Sequence, residues 1–503
     1  MSDVLAQVPG LAAHHLLLAA AALALALAIA LPLGLAAASR PRLAAIGVGV
    51  AGTIQTIPGL ALLALFYPLL LAVGHGVPAL GFLPAFGALT LYALLPILRN
   101  VIAGLRGLDP AVVRAADGIG MTRAQRLRLV EAPLAAPVVM AGIRTAAVWT
   151  IGAATLATTV GAPSLGNLIF SGLQTEDWPQ VVAGCLASAA LAIVADAALA
   201  LVEHGLARRR RVPLWSGIAI VAAGLALAGA ALARPARPTI VIGAKNFSEQ
   251  FILARVIGDR LTAAGYAVSF REGLGSGVAL HALRGGDVDV YVDYSGTIWA
   301  DAMHRSDAAP RETMLAGIRR FLAPSGATVL GPLGFENAYA LAMRRDRARG
   351  LGVGDLADLA RVAPRLTLGA DLEFLSRPEW RAVTSAYGLA FAATRAYAPS
   401  FMYRALGGGQ ADVISAFSSD GRIAADDLVV LGDPRHALPG YDAILLVDGA
   451  HARDPRLVAA LRPLIGAIPV AAMRVANYMV DRDAGKRRPA EAARWLEARA
   501  GRP

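Results

Sequence analysis

The sequence predicts an α-helical membrane domain of about six spans, followed by an α/β domain on the outer side of the bilayer. Three observations predict it. The chain has 503 residues, 56% of them hydrophobic, and a mean hydropathy of +0.55, too apolar for an ordinary soluble protein. The apolar runs are confined to the first 233 residues. Beyond them charges become frequent, and short strand-like runs alternate with helical ones.

Six runs are each long enough to cross a bilayer, at roughly 15–38, 44–73, 80–104, 134–160, 179–202 and 214–233. The first lacks a basic leader, because Asp3 is the only charge before it, and Arg40 and Arg42 follow it directly. It therefore reads as a span with its N-terminus outside, not as a secretory signal. The positive-inside rule orients the rest. Arg40 and Arg42 lie inside. The loop at 74–80 carries only His75 and lies outside. Loop 106–133 carries Arg106, Arg114, Arg123, Arg126 and Arg128 and lies inside. Loop 161–178, with Glu176 and Asp177, lies outside, and Arg208 to Arg211 lie inside. The sixth span then delivers everything after about residue 235 to the outside. The expected location is the cell (inner) membrane, multi-pass.

The outer part begins after the linker 234–238. Strand-like "TIVIGA" (239–244), "VDVYV" (288–292) and "AILLV" (443–447) alternate with helical stretches such as 248–265 and 311–323. In 287–294, Val288, Val290, Val292 and Tyr294 share one strand face, and Asp287, Asp289, Tyr291 and Asp293 the other.

Several function classes drop out. The formal charge of +11 suggests nucleic acid, but much of the N-terminal arginine sits in orienting loops, and no basic strip interleaves with aromatics. The one cysteine, Cys185, makes an internal disulfide impossible and reads as a small buried residue. No Ser/His/Asp or metal-ligand cluster stands out among eight scattered histidines, which argues against an enzyme. The only lysines, Lys245 and Lys486, are followed by Asn and Arg, so neither serves a P-loop. No cofactor is expected in this chain. If ATP drives it, another subunit binds the ATP. Gln55 and Arg144 are polar groups inside spans, which usually face a pathway or a partner; for Gln55 a helix-packing contact is the equal alternative, and Arg144 reads as a structural pairing within the bundle.

The inside loop has an unusual pattern. From Val112 to Ala146 it runs through a short helical stretch, a break at Gly118 and Gly120, a basic amphipathic stretch, then Pro133 and Pro137. Ala115, Ala116, Gly120 and Pro133 fall on the pattern of the coupling loop of ABC importer permeases, which the segment resembles. Arg114 stands where that motif has glutamate. The resemblance implies a short helix that docks on a cytoplasmic ATPase subunit. "IQTIPGLALLAL" (54–65), "LYALLPILRN" (91–100), "AGIRTA" (141–146) and "GAPSLGNLIFSGL" (161–173) resemble permeases of osmoprotectant importers, which carry glycine betaine, carnitine and choline.

The outer segments 242–257, 273–297, 332–343, 411–423 and 437–447 resemble, in order, the binding proteins of the same importers. The resemblance implies two α/β lobes closing on a ligand, lobe one taking 239–341 and 446–503, lobe two 342–445. It also implies an aromatic cage for a trimethylammonium head, formed by Tyr294, Tyr339, Phe417 and Tyr441, with Gln250 and Thr297 on the ligand's polar end. Such a head is poorly hydrated and donates no hydrogen bond, so ring faces attract it by cation–π interaction, worth up to about 2 kcal/mol each when desolvated. Phe417 stands where the family usually has Tyr.

The expectation is then a permease fused to its binding protein: permease 1–207; basic loop, sixth span and linker 208–238; binding domain 239–503. Its partners would be a separate ATPase, a small trimethylammonium ligand, the bilayer and a second copy of itself. Two alternatives remain: the same machinery importing ergothioneine or another betaine, and a membrane-anchored receptor that senses ligand without transport.

Overall fold

A computed structural model describes residues 2–73, 79–175, 177–233, 239–305, 309–482 and 484–499. The outside loop at 74–78 with His75, Glu176 and the linker 234–238 lie outside the described residues. The chain divides into two compact units, the membrane-type helices and the outer domain.

The first unit is helical. Among the described residues, five helices are long and apolar enough to cross a membrane: Leu5–Ala38, Phe82–Arg106, Arg123–Val160, Trp178–Ala207 and Arg211–Leu232. The expected span 44–73 is not one straight helix. It breaks into Pro41–Thr56 and Gly59–Leu70, bent by 100°. Pro58 has no N–H to continue the ladder, and Ile57 before it is held extended (φ −69°, ψ 127°). The Tyr92 hydroxyl donates to the Ile57 carbonyl at the break, as a non-helical carbonyl at membrane depth requires. Pro133 is absorbed differently. A π-helical turn, Leu127–Glu131, precedes it, and the helix runs on through Ala132–Ala153.

Arg144 makes the pairing expected of it. Its guanidinium bonds both Asp196 oxygens at 2.9 Å and Glu203 at 2.7 Å. The Gln55 amide nitrogen is buried and has no hydrogen-bond partner among the described residues. Cys185 is exposed, which corrects the expectation that it is buried. Its helix is apolar on all sides, so apolarity there does not distinguish a packed face from an outer one.

The outer unit holds two five-stranded sheets. Strands β1 (Thr239–Lys245), β2 (Ala267–Leu274), β3 (Val290–Tyr294) and β4 (Thr328–Glu336) form the first with β10 (Asp442–Val447), in the order β2-β1-β3-β10-β4. Strands β5 (Tyr339–Arg344), β6 (Thr367–Ala370), β7 (Ala393–Ala396), β8 (Val413–Phe417) and β9 (Leu428–Val430) form the second, β7-β6-β8-β5-β9. The chain crosses between lobes at 337–338 and again between Val430 and Asp442. The crossings expected at 341/342 and 445/446 are corrected by a few residues, because "YALAM" pairs wholly with the second sheet and "DAILLV" wholly with the first. The crossings are tied together by Asn337 N–H donating to Tyr441 O at 2.9 Å. β3 lies mid-sheet, so both its faces are buried, the Asp293 face as much as the Val292 face.

Candidate ligand-binding site

The cage residues collect because each sits at a strand end beside a crossing. Tyr294 ends β3, Tyr339 begins β5, Phe417 ends β8, and Tyr441 immediately precedes β10. The β5/β8 register pairs Tyr339 with Phe417, and their ring centroids lie 4.9 Å apart. Tyr441 meets Tyr339 edge-on at 5.7 Å. Phe247, which the sequence reading missed, closes the series. It stacks on Phe417 at 6.2 Å and on Tyr294 at 6.1 Å. Five rings thus follow one another without a gap: Tyr294, Phe247, Phe417, Tyr339, Tyr441. All five line one cavity of about 400 Å³ between the lobes. Gly296 makes room for the last of them, since a Cβ there would lie 2.7 Å from the Tyr441 ring.

Two cations lie over these rings: the Lys245 ammonium is 5.2 Å from the Tyr294 ring centroid, and the Arg377 guanidinium is 5.2 Å from that of Tyr339. Lys245 is 2% exposed and pairs with the buried Asp293, which also accepts from Tyr291 at 2.5 Å. Arg377 is 3% exposed; it pairs with Asp301 of the first lobe at 2.9 Å and with Glu373 of the second at 2.6 Å. It therefore bridges the lobes, as does the Ser276 hydroxyl donating to Glu373 at 2.9 Å. Burial pushes the Asp301 carboxyl up to about 6 against the pull of Arg377. The Tyr441 hydroxyl donates to the buried Glu379. Thr297 lines the same cavity.

Gln250 does not line it. Its amide accepts from Lys245 N at 3.3 Å and donates to Val292 O and the Tyr294 hydroxyl, both at 3.0 Å. With its side chain so engaged, it orients Tyr294. Lys245 and Arg377, which the sequence reading did not single out, do line the cavity. Their signal was present in the sequence: a lysine almost without company in an arginine-rich chain, and an arginine in the acid-rich run 371–379.

In the first unit, Ala115, Ala116 and Arg114 lie on the short helix Pro110–Gly118, capped by the Asp109 side chain on Ala111 N at 2.7 Å. Gly120 takes φ +79°, a left-handed conformation that glycine adopts freely, at the break seen in the sequence. Arg126 clamps the loop by bonding Asp117 at 2.6 Å and Glu131 at 2.8 Å. Arg114, Ala115 and Pro133 are exposed and Ala116 is buried.

Residues 238–498 match the family model described as the substrate-binding domain of an ABC-type glycine betaine transport system. The chain belongs to that family. Residues 30–208 match a second model, the binding-protein-dependent transport system inner membrane component. Both halves of an osmoprotectant-type ABC importer, the permease and the binding protein, are therefore in one chain of the inner membrane, the binding domain on the extracytoplasmic side. Among relatives, the chain is similar to the ergothioneine transport permease/ergothioneine binding protein EgtU of Helicobacter pylori (strain G27), at 28% identity over 454 residues, 86% of this chain and 80% of the relative. It is similar to the osmoprotectant import permease protein OsmW of Salmonella typhimurium, at 43% over 196 residues, 39% of this chain and 90% of that one. The choline transport system permease protein OpuBB of Bacillus subtilis is 46% identical over 159 residues, 32% of this chain and 70% of the relative. A crystal structure of a glycine betaine/carnitine/choline ABC transporter aligns with 27% identity and a TM-score of 0.45, covering 51% of this chain and 96% of that one.

Proposed function

We propose that the outer domain captures a small quaternary ammonium compound of the glycine betaine, choline or carnitine type and hands it to the permease half. The unbroken run of five aromatic rings along one cavity carries this reading. Such a lining suits a cation that donates no hydrogen bond. Lys245, Arg377 and Thr297 then take the ligand's polar end, an assignment their place in the same cavity supports. Domain limits of 1–207, 208–238 and 239–503 follow from this division of labour.

The remaining parts of the machine are proposed on the same footing. A separate cytoplasmic ATPase docks on the loop holding Arg114, Ala115, Ala116, Gly120 and Pro133, where Ile119 is 75% exposed. Two copies of the chain assemble, one per ATPase. Each binding domain stays tethered, at an effective concentration on the order of mM.

A second reading keeps this machinery and changes the cargo to ergothioneine, itself a trimethylammonium compound. The likeness to the Helicobacter relative, which spans both halves, favours it. Calorimetry of the whole chain in nanodiscs against glycine betaine, choline, carnitine and ergothioneine separates the two. Tight binding of one, lost in Tyr294→Ala, is the expected result and names the cargo. Binding of none refutes the trimethylammonium assignment.

A further inference from the structure

Directly behind the cage lies a buried carboxyl group that the ligand reading does not use. Glu249, in the first turn of the helix Ser248–Ala263, is 3% exposed. Its Oε1 accepts from the Tyr294 hydroxyl at 2.5 Å and from the Asn337 amide at 3.1 Å. Its Oε2 accepts from the Asn477 amide at 2.9 Å. The same Asn477 amide donates to the Ser419 carbonyl at 3.0 Å. Four parts of the domain therefore meet at this side chain: the end of β3, the first crossing, the helix Val470–Asp481 and, through Asn477, the second-lobe loop two residues past Phe417.

A buried carboxylate is costly unless each oxygen is satisfied, and burial does push the Glu249 carboxyl up, against hydrogen bonds from Ser419, Tyr294, Asn477 and Asn337. Hydrophobic packing would fill this space more cheaply. What the carboxyl group adds is direction. It accepts from Tyr294 while Gln250 donates to the same hydroxyl, so the ring has one orientation. Through Asn477, that orientation is tied to the place of the second lobe.

We propose that Glu249 is a positioning residue which couples assembly of the aromatic cage to closure of the two lobes. Its contacts reach Tyr294 on one side and the strand end bearing Phe417 on the other, so the two cage halves come into register together. The inference rests on the trimethylammonium reading of the cage, and the test separates their failures.

The whole chain in nanodiscs is titrated with whichever of glycine betaine, choline, carnitine or ergothioneine binds the wild type. Glu249→Gln keeps the shape but turns an amide donor onto Asn477 or Tyr294. It and Tyr294→Phe each weaken binding about tenfold, the scale of one buried hydrogen bond to a charged group. The double variant is no weaker than the worse single one, because both remove the same link. An additive loss of about a hundredfold overturns the proposal. Spin labels at Ser269 and Arg381, exposed positions on the two lobes, supply a second readout that a merely structural glutamate leaves unmoved. Saturating ligand brings the wild-type labels together and leaves those of Glu249→Gln apart; equal shortening overturns the proposal. Should Glu249→Gln fail to fold, Asn477→Ala cuts the link to Ser419, and the same two outcomes apply. A wild type that binds no panel member refutes the cage reading alone. The unliganded label distance then decides the coupling, lengthening in Glu249→Gln if it exists and unchanged if it does not.

Discussion

Gly296 is set by one distance. With its single hydrogen it lets the Tyr441 ring lie against the turn after β3; a methyl group there meets the ring at 2.7 Å. Gly296→Ala is expected to displace Tyr441 and weaken ligand binding by about tenfold or more, the loss of one desolvated cation–π contact, with little change in secondary structure. Calorimetry and circular dichroism on the same sample check both halves. Lys245 obeys a different rule. Truncating it leaves Asp293, 0% exposed, charged and unpaired, so Lys245→Met should destabilise the outer domain by about 3–5 kcal/mol, read as a fall in its denaturant midpoint. The four aromatics expected from the resemblance do line one cavity. Phe247 was not legible in the sequence, since its role depends on stacking between residues 47 and 170 positions away. Gln250 was misread because sequence shows an amide and not which partners already occupy it.

Among the elements, the pair spanning the cleft sets a pH dependence. Asp301 on the first lobe faces Arg377 on the second, with its carboxyl pushed up to about 6 by burial. A carboxyl with a raised value is held more readily neutral than charged. The folded outer domain therefore carries its full penalty above about pH 6 and sheds it as pH falls towards the ordinary carboxylate range. The contribution of Asp301 to the domain's stability should rise as pH drops from about 7 to about 5, so the stability difference between the wild type and Asp301→Asn, read from denaturant midpoints, should shift in favour of the wild type over that range. A shift the other way contradicts the assignment. Element boundaries were less legible than element types. Alternation in 287–294 gave a strand, but not that it lies mid-sheet with both faces covered. Apolarity gave the run 44–73, yet its break rests on Pro58 and on a hydroxyl, Tyr92, supplied by another helix.

For the molecule as a whole, the proposed function predicts that capture and transport separate by mutation. Ile119 is 75% exposed on the coupling loop, so Ile119→Asp should abolish ATP-driven uptake in proteoliposomes supplied with the ATPase and leave ligand affinity unchanged. The extracytoplasmic side of the binding domain was readable from how arginine is distributed among the loops. The meeting of distant segments at the cleft was not readable that way. The two crossings, however, have a mechanical meaning. The chain enters the outer domain through β1 and returns to that same sheet by β10. The second lobe is reached only through the two crossings, so any swing between the lobes has to be taken up by the backbone at 337–338 and between Val430 and Asp442.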